Sequence, residues 1–266
     1  MQTGNMVIGL FIPGDSLLHR VDPRSKIVFS FAFAVALFLV SSFGGLALMA
    51  AGLAAGLAVA RIPPSWLYRG LKPVLLLALV TFLFQAFLRG GAPITSLGPL
   101  TLYREGVREG AFLALRLVLL VLSSTLLTFT TPPVMLTDGL SRLMAPLQRL
   151  RFPAYELALM MTIALRYIPT LLQELDRILK AQLARGADIR RGGLVKRARN
   201  LVPVLLPLFV ISFRHADELA LAMESRCYRG GRGRTARRQL RLGWLDAAFA
   251  FIMVLLIGGG IWVGRL

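Results

Sequence analysis

The stretch from Ile27 to Ala60 reads IVFSFAFAVALFLVSSFGGLALMAAGLAAGLAVA and contains no charged residue. As one helix it would be about 51 Å long at ~1.5 Å per residue, whereas the hydrocarbon core of a bilayer is about 30 Å thick. The segment 41–45, Ser-Ser-Phe-Gly-Gly, lies at its middle. The stretch therefore predicts a helical hairpin that crosses the membrane twice, with spans near residues 27–42 and 44–60.

The rest of the chain contains further stretches of the same kind. Of the 266 residues, 56% are hydrophobic and 17% are charged, which is too apolar for an ordinary soluble domain. Additional spans are predicted near residues 72–89, 109–131 and 245–264. We expect an all-α integral membrane protein of about five transmembrane helices, with a cytoplasmic helical domain between the fourth and the fifth. Its predicted parts are a four-span membrane domain (1–131), cytoplasmic helices (132–244) and a C-terminal transmembrane helix (245–266).

The basic residues indicate how the chain is oriented. The formal net charge is +18, and residues 132–245 hold 20 Lys and Arg against 8 Asp and Glu, a net of +12. A basic block flanked by apolar spans is typical of segments that stay in the cytoplasm, so the charge does not point to nucleic acid. This pattern predicts a membrane protein with a cytoplasmic N-terminus and a C-terminus outside.

Few residues suit catalysis or metal binding. There is one cysteine, Cys227, and the two histidines have no cluster of Cys, His or carboxylates around them. We therefore expect no metal site and no catalytic residues. The sequence has no GxxxxGK[ST] phosphate-binding loop, so any ATP should be bound by another chain, and no cofactor is expected here.

Two long helices are predicted in the basic block. The first runs from about Ala154 to Arg185 and ends at Gly186, and the second runs from about Val204 to Arg226. The first helix carries an apolar stripe at helical spacing, formed by Leu172, Leu175, Leu179 and Leu183.

The two helices end alike. Asp, Ala and Arg stand at relative positions 0, 5 and 9 near each C-terminus, and the second set follows the first by 41 residues; the sets are Asp176, Ala181 and Arg185, and Asp217, Ala222 and Arg226. A cation at a helix C-terminus is favoured by the helix dipole alone. A guanidinium there can also pair bidentately with a carboxylate on a partner, so the repeat is a candidate for two docking ends.

These residues resemble a known family, the transmembrane T components of energy-coupling factor transporters. The segment Asp22-Pro23-Arg24-Ser25-Lys26 is similar to the family's opening motif before the first span. Ala184-Arg185-Gly186 resembles the first of its two Ala-Arg-Gly motifs. Ser225-Arg226-Cys227 resembles the second but keeps only the arginine. The likeness extends from about Ile12 to Asp246.

The resemblance implies a function and a set of partners. T components join two ATPase subunits to a substrate-binding S component in importers of vitamins or transition metals, so the resemblance implies a location in the plasma membrane of a prokaryote. By this likeness Arg185 and Arg226 each engage one ATPase, and the leucine stripe belongs to the coupling-helix face. Asp22 is expected to cap the first transmembrane helix, with Pro23 at its first position.

Two other functions remain open from the residues. A self-contained solute permease would need polar groups at mid-membrane, and the spans offer chiefly Gln85 and Arg116, of which Arg116 is expected to snorkel to the interface. An intramembrane lipid-modifying enzyme would need clustered catalytic groups. Gly52 and Gly56, and Gly260 and Gly264, form spacings that allow close helix packing.

Overall fold

The computed structural model describes residues 12, 14–88, 90, 92–97, 100–146, 153–187, 193–228, 230 and 243–265. The chain divides into two units, which we call the membrane unit (residues 1–143 and 239–266) and the helix-pair unit (residues 144–238). The helices of the membrane unit are α1 (Leu17–Arg20), α2 (Pro23–Leu39), α3 (Phe43–Ala60), α4 (Pro64–Leu88), α5 (Arg104–Thr130), α6 (Pro133–Leu143) and α9 (Trp244–Arg265). The helix-pair unit contains α7 (Ala154–Ala184) and α8 (Leu194–Ser225).

The predicted hairpin is α2 followed by α3. Val40 closes α2 in an extended conformation, and the Ser42 hydroxyl caps α3 by accepting a hydrogen bond from the Gly45 N–H at 3.2 Å. The buried core of the membrane unit is centred on these helices and includes Phe33 and Leu46. The sharp turn thus comes from capping by serine and from the extended Val40.

Four of the five predicted spans fall on helices long and apolar enough to cross a membrane, namely α3, α4, α5 and α9. Helix α2, the first predicted span, has 17 residues, at the lower limit for a crossing helix. By length and composition α7 also qualifies, although its mean hydropathy of 1.2 is below the 2.0 to 2.2 of the other four.

Three helices begin earlier than the segments predicted for them, and the predicted start of α8 near Val204 was wrong. Helix α4 begins eight residues before the predicted position 72, and α5 begins five residues before position 109. Helix α8 begins ten residues before Val204 and continues through Pro203 and Pro207. Apolar runs mark only the part of a helix that lies in hydrocarbon, and an interior proline predicts a break that packing can override.

Two elements depart from the expected organisation. A short antiparallel hairpin of β1 (Pro93–Leu97) and β2 (Leu100–Tyr103) precedes α5 in a chain expected to be entirely helical. Helix α6 packs on α2, where a Cβ atom on Gly139 would lie 3.1 Å from the Pro23 Cβ. Residues 133–143 therefore belong to the membrane unit and not to the predicted block 132–244.

Glycines bring α3 and α9 into close contact. A Cβ atom on Gly45 would lie 2.6 Å from the Gly260 carbonyl oxygen and 3.3 Å from the Gly264 Cα. A Cβ atom on Gly52 would overlap the Leu256 side chain, whereas one on Gly56 would meet ordinary contact distances. Close packing through Gly52, Gly260 and Gly264 agrees with the predicted spacing, and Gly45 is an additional contact.

Candidate coupling site

Helices α7 and α8 pack against each other in opposite directions. Gln182, near the end of α7, donates a hydrogen bond to the Pro203 carbonyl near the start of α8, at 3.3 Å. Tyr167, earlier in α7, has its ring 6.0 Å from that of His215, later in α8. Since the two helices are antiparallel, the C-terminal ends of α7 and α8 lie at opposite ends of the pair.

The Gln182 contact has a local cause in α8. Pro207 has no N–H, so the Pro203 carbonyl four residues earlier lacks its usual helical hydrogen bond. The Gln182 amide supplies a donor to that carbonyl from the neighbouring helix. This compensation explains how α8 tolerates a proline inside it, and it fixes the register between the two helices.

The end of α7 is a Schellman turn. Arg185 is the C-cap residue, with φ −82° and ψ 7°, and Gly186 adopts the left-handed conformation with φ +82°. The Gly186 N–H donates to the Leu183 carbonyl at 3.0 Å, and the Ala187 N–H donates to the Gln182 carbonyl at 3.0 Å. Both bonds belong to the Schellman pattern, so Gly186 ends the helix as its sequence position predicts.

The end of α8 has the same geometry without a glycine. Arg226 is the C-cap residue, with φ −91° and ψ 13°, and Cys227 adopts the left-handed conformation with φ +55°. The Cys227 N–H donates to the Glu224 carbonyl at 2.8 Å, and the Tyr228 N–H donates to the Met223 carbonyl at 3.0 Å. The left-handed conformation costs a non-glycine residue roughly 1–2 kcal/mol, so this end retains the turn despite local strain.

Both arginines are exposed and available to a partner. Within the described part of the chain, neither the Arg185 nor the Arg226 guanidinium makes a hydrogen bond or an ion pair. Ala184 and Ser225, the last residues of the two helices, are also exposed. The fold therefore presents two similar arginine ends, which differ in the residue that follows each arginine.

The leucine stripe of α7 is only partly covered. Leu172, Leu175 and Leu179 are half-buried, and Leu183, one turn before Arg185, is 56% exposed. Charged neighbours pair along the helix, with Lys180 Nζ 2.6 Å from Asp176 and Arg177 Nη1 3.0 Å from Glu174. An apolar side chain thus adjoins the exposed arginine at the end of α7.

The N-terminal motif starts α2 and ties it to α9. The Asp22 carboxylate accepts a hydrogen bond from the Arg24 N–H at 2.9 Å, and Pro23 is the first helical residue. The Asp22 N–H in turn donates to Asp246 Oδ1 at 2.7 Å, while Asp246 Oδ2 accepts from the Gly243 N–H at 2.7 Å. The capping role expected of Asp22 is present, and the buried Asp246 carboxylate joins the starts of two helices.

Helices α2 and α5 are joined at two levels by cations that sequence reasoning did not pair. Lys26, buried at the start of α2, donates to the Thr130 carbonyl and the Thr131 hydroxyl at the end of α5, at 3.2 Å each. Conversely, Arg116 of α5 donates to the Val40 carbonyl at the end of α2, at 2.7 Å. Each cation binds the carbonyl end of the other helix, where the helix dipole favours positive charge.

Arg116 reaches the α2–α3 turn, and its snorkelling to the interface stays a prediction. Besides its bond to Val40, its guanidinium lies 4.8 Å from the centre of the Phe112 ring and 5.6 Å from that of Phe38. Lys26 and Arg116 could not be paired from sequence, because cations near span ends are common whatever they bind.

The fold and these helix ends define a class: a multi-span helical membrane protein that carries a separate pair of long helices, each with an exposed arginine at its end. A family model described as CbiQ, cobalt transport protein, matches residues 14–236. The energy-coupling factor transporter transmembrane protein EcfT of Clostridium kluyveri is 46% identical over 267 residues, covering 98% of this chain and 99% of the relative.

Two further relatives of the same name are similar over most of their length. The protein of Thermosediminibacter oceani is 48% identical over 260 residues, 98% of each chain, and that of Bacillus subtilis is 45% identical over 237 residues, 89% of each chain. The chain therefore belongs to this family of transmembrane components of energy-coupling factor transporters.

Proposed function

We propose that this chain is the coupling subunit of an ATP-driven importer, with one ATPase subunit docked at Arg185 and another at Arg226. The observation that carries the proposal is the matched turn geometry of two arginine ends at opposite ends of one antiparallel helix pair. A carboxylate in a groove of each ATPase would receive the guanidinium in a bidentate pair.

The spacing of the two ends favours two partners over one. At ~1.5 Å per residue, about 27 Å of helix separates Tyr167 from Arg185, and about 17 Å separates His215 from Arg226. Since Tyr167 and His215 are neighbours and the helices run in opposite directions, the arginines are up to about 44 Å apart. Two related subunits, each with one acceptor site, fit this spacing.

We further propose that the substrate specificity resides in a separate S component, which binds a vitamin or a transition-metal ion. The exposed apolar side chains of the membrane unit and the leucine stripe of α7 would hold it. Hydrolysis of ATP belongs to the ATPases, and this chain acts without catalytic residues or a cofactor of its own.

Affinity purification tests the proposed function. We expect the tagged chain to co-purify with two ATPase subunits and an S component, and the complex to hydrolyse ATP. We expect the chain stripped of its partners to hydrolyse none, and to bind no vitamin or metal ion in calorimetry. Stoichiometric solute binding by the isolated chain would contradict the proposal and favour a permease.

The proposed topology has a cytoplasmic N-terminus and an external C-terminus. It requires the 17-residue α2 to cross the bilayer and the less apolar α7 to remain in the cytoplasm. We expect a tag after Leu266 to be labelled from outside in intact cells, and a tag between residues 192 and 193 to be protected. Labelling of the second tag from outside would instead make α7 a crossing helix.

A further inference from the structure

Helix α5 is longer than α2, and the contacts of Lys26 and Arg116 show which end of α5 extends beyond α2. Lys26 binds the end of α5, and Val40 at the end of α2 lies level with Arg116. At ~1.5 Å per residue, the part of α5 from Arg104 to Arg116 therefore extends about 18 Å beyond the α2–α3 turn. The α2–α3 turn and the protruding part of α5 therefore form a step at the end of the membrane unit opposite Lys26.

Helix α9 ends at the same level as the α2–α3 turn, at the end of the membrane unit opposite Lys26. The Ser42 hydroxyl donates to the Val263 carbonyl at 3.1 Å. Helix α2 is about 25 Å long and α5 about 40 Å, whereas the hydrocarbon core is about 30 Å thick. Local thinning is one way in which a bilayer adapts to short helices, and it would draw lipid headgroups inward toward the step.

A cleft of about 650 Å³ lies at this step. Phe43 from the α2–α3 turn and Phe112 from α5 give it apolar walls, while Arg108, Glu105 and Glu109 give it charges of both signs. Neither Glu105 nor Arg108 forms an ion pair with another described residue. The cleft thus combines apolar surface with separate positive and negative groups.

Arg116 provides a further polar group at this cleft. One of its terminal nitrogens donates to Val40, and its side chain lines the cleft. A phosphate oxygen is a suitable acceptor, because guanidinium and phosphate groups match in charge and geometry.

We propose that this cleft binds the headgroup of a phosphatidylethanolamine from the leaflet opposite the N-terminal segment. The phosphate contacts Arg108 and Arg116, the primary ammonium contacts Glu105, and the acyl chains cover the apolar surface at Phe43 and Phe112. Phosphatidylglycerol carries the same phosphate but an uncharged glycerol, so it would leave Glu105 without a cation, and phosphatidylcholine has no ammonium N–H to donate to that carboxylate. The proposal requires membrane insertion and does not depend on the ATPases.

Native mass spectrometry of the purified full chain tests the proposal. The delipidated protein is offered equal amounts of phosphatidylethanolamine, phosphatidylglycerol and phosphatidylcholine in detergent. We expect one phosphatidylethanolamine to be retained per chain, with at least fivefold lower retention of the other two. Equal retention of all three lipids would overturn the proposal.

Variants on the first turns of α5 locate the site. We expect Arg108→Gln to lower phosphatidylethanolamine retention about tenfold and Glu105→Gln to abolish the preference over phosphatidylglycerol. The matched control Arg104→Gln changes an exposed arginine that does not line the cleft, and it should retain the lipid. Unchanged retention in the cleft variants, or displacement of the lipid by millimolar soluble phosphoethanolamine, would refute a lipid site there.

Discussion

Replacing both Arg185 and Arg226 with alanine is expected to abolish ATP-driven uptake while the chain still inserts into the membrane. Both side chains are exposed beyond the last helical turn, so the helices do not need them to fold. Removing one member of a charge pair that a partner buries typically costs about 2–5 kcal/mol. This corresponds to a loss of roughly 30-fold to several thousand-fold in affinity for each ATPase contact. Co-purification of the ATPases and an uptake assay at matched membrane levels measure both effects.

Matched controls separate docking from general loss of charge. Arg177 on α7 and Arg214 on α8 are also exposed, but each forms an ion pair with a glutamate of its own helix. Alanine at those positions should change ATPase affinity little, because exposed pairs contribute about 0–1 kcal/mol. Lysine at 185 or 226 should restore docking poorly, since it keeps the charge but loses the planar fork. Full docking by the double alanine variant would leave the two arginines as ordinary helix-end charges.

The two single variants are expected to have unequal effects. Gly186 adopts its left-handed conformation without a side-chain clash, whereas Cys227 adopts the same turn as a non-glycine residue. The second end thus presents a thiol side chain where the first presents none, and the two ATPase grooves would meet different surfaces.

Replacing Gly45 with valine is expected to destabilise the membrane unit by about 3 kcal/mol, at the upper end of the usual range for overpacking. The new Cβ would lie 2.6 Å from the Gly260 carbonyl oxygen and 3.3 Å from the Gly264 Cα. Both obstacles are backbone atoms, so no side-chain rotation can relieve the clash, and α3 and α9 must separate. The expected result is a lower melting temperature and less monodisperse protein after detergent extraction.

A valine on the partner helix provides the control for Gly45. A Cβ atom on Gly258 of α9 would meet nothing within 4 Å, so Gly258→Val makes the same chemical change in open space. We expect that variant to behave like the parent chain. Gly52→Val should have an intermediate effect, because its obstacle is the flexible Leu256 side chain. A normal melting temperature for Gly45→Val would show that the α3–α9 contact can widen at little cost.

The membrane class, the α2–α3 hairpin and the end of α7 could be predicted from local sequence. Each follows from neighbouring residues: an uncharged run too long for one crossing, the serines and glycines at its middle, and a glycine after Arg185. The cap formed by Asp22 is equally local, since its partner is the N–H two residues later.

Contacts between residues far apart in sequence are visible only in the tertiary structure. Lys26 and Thr130 are far apart in sequence, as are Arg116 and Val40, and no local pattern pairs them. The predicted start of α8 near Val204 was too late: the helix continues through Pro203 and Pro207, and Gln182 of α7 donates to the carbonyl that Pro207 leaves without its helical partner. These contacts depend on how antiparallel helices align in space. Hydropathy and local propensity carry no information about that alignment, so only the folded chain reveals it.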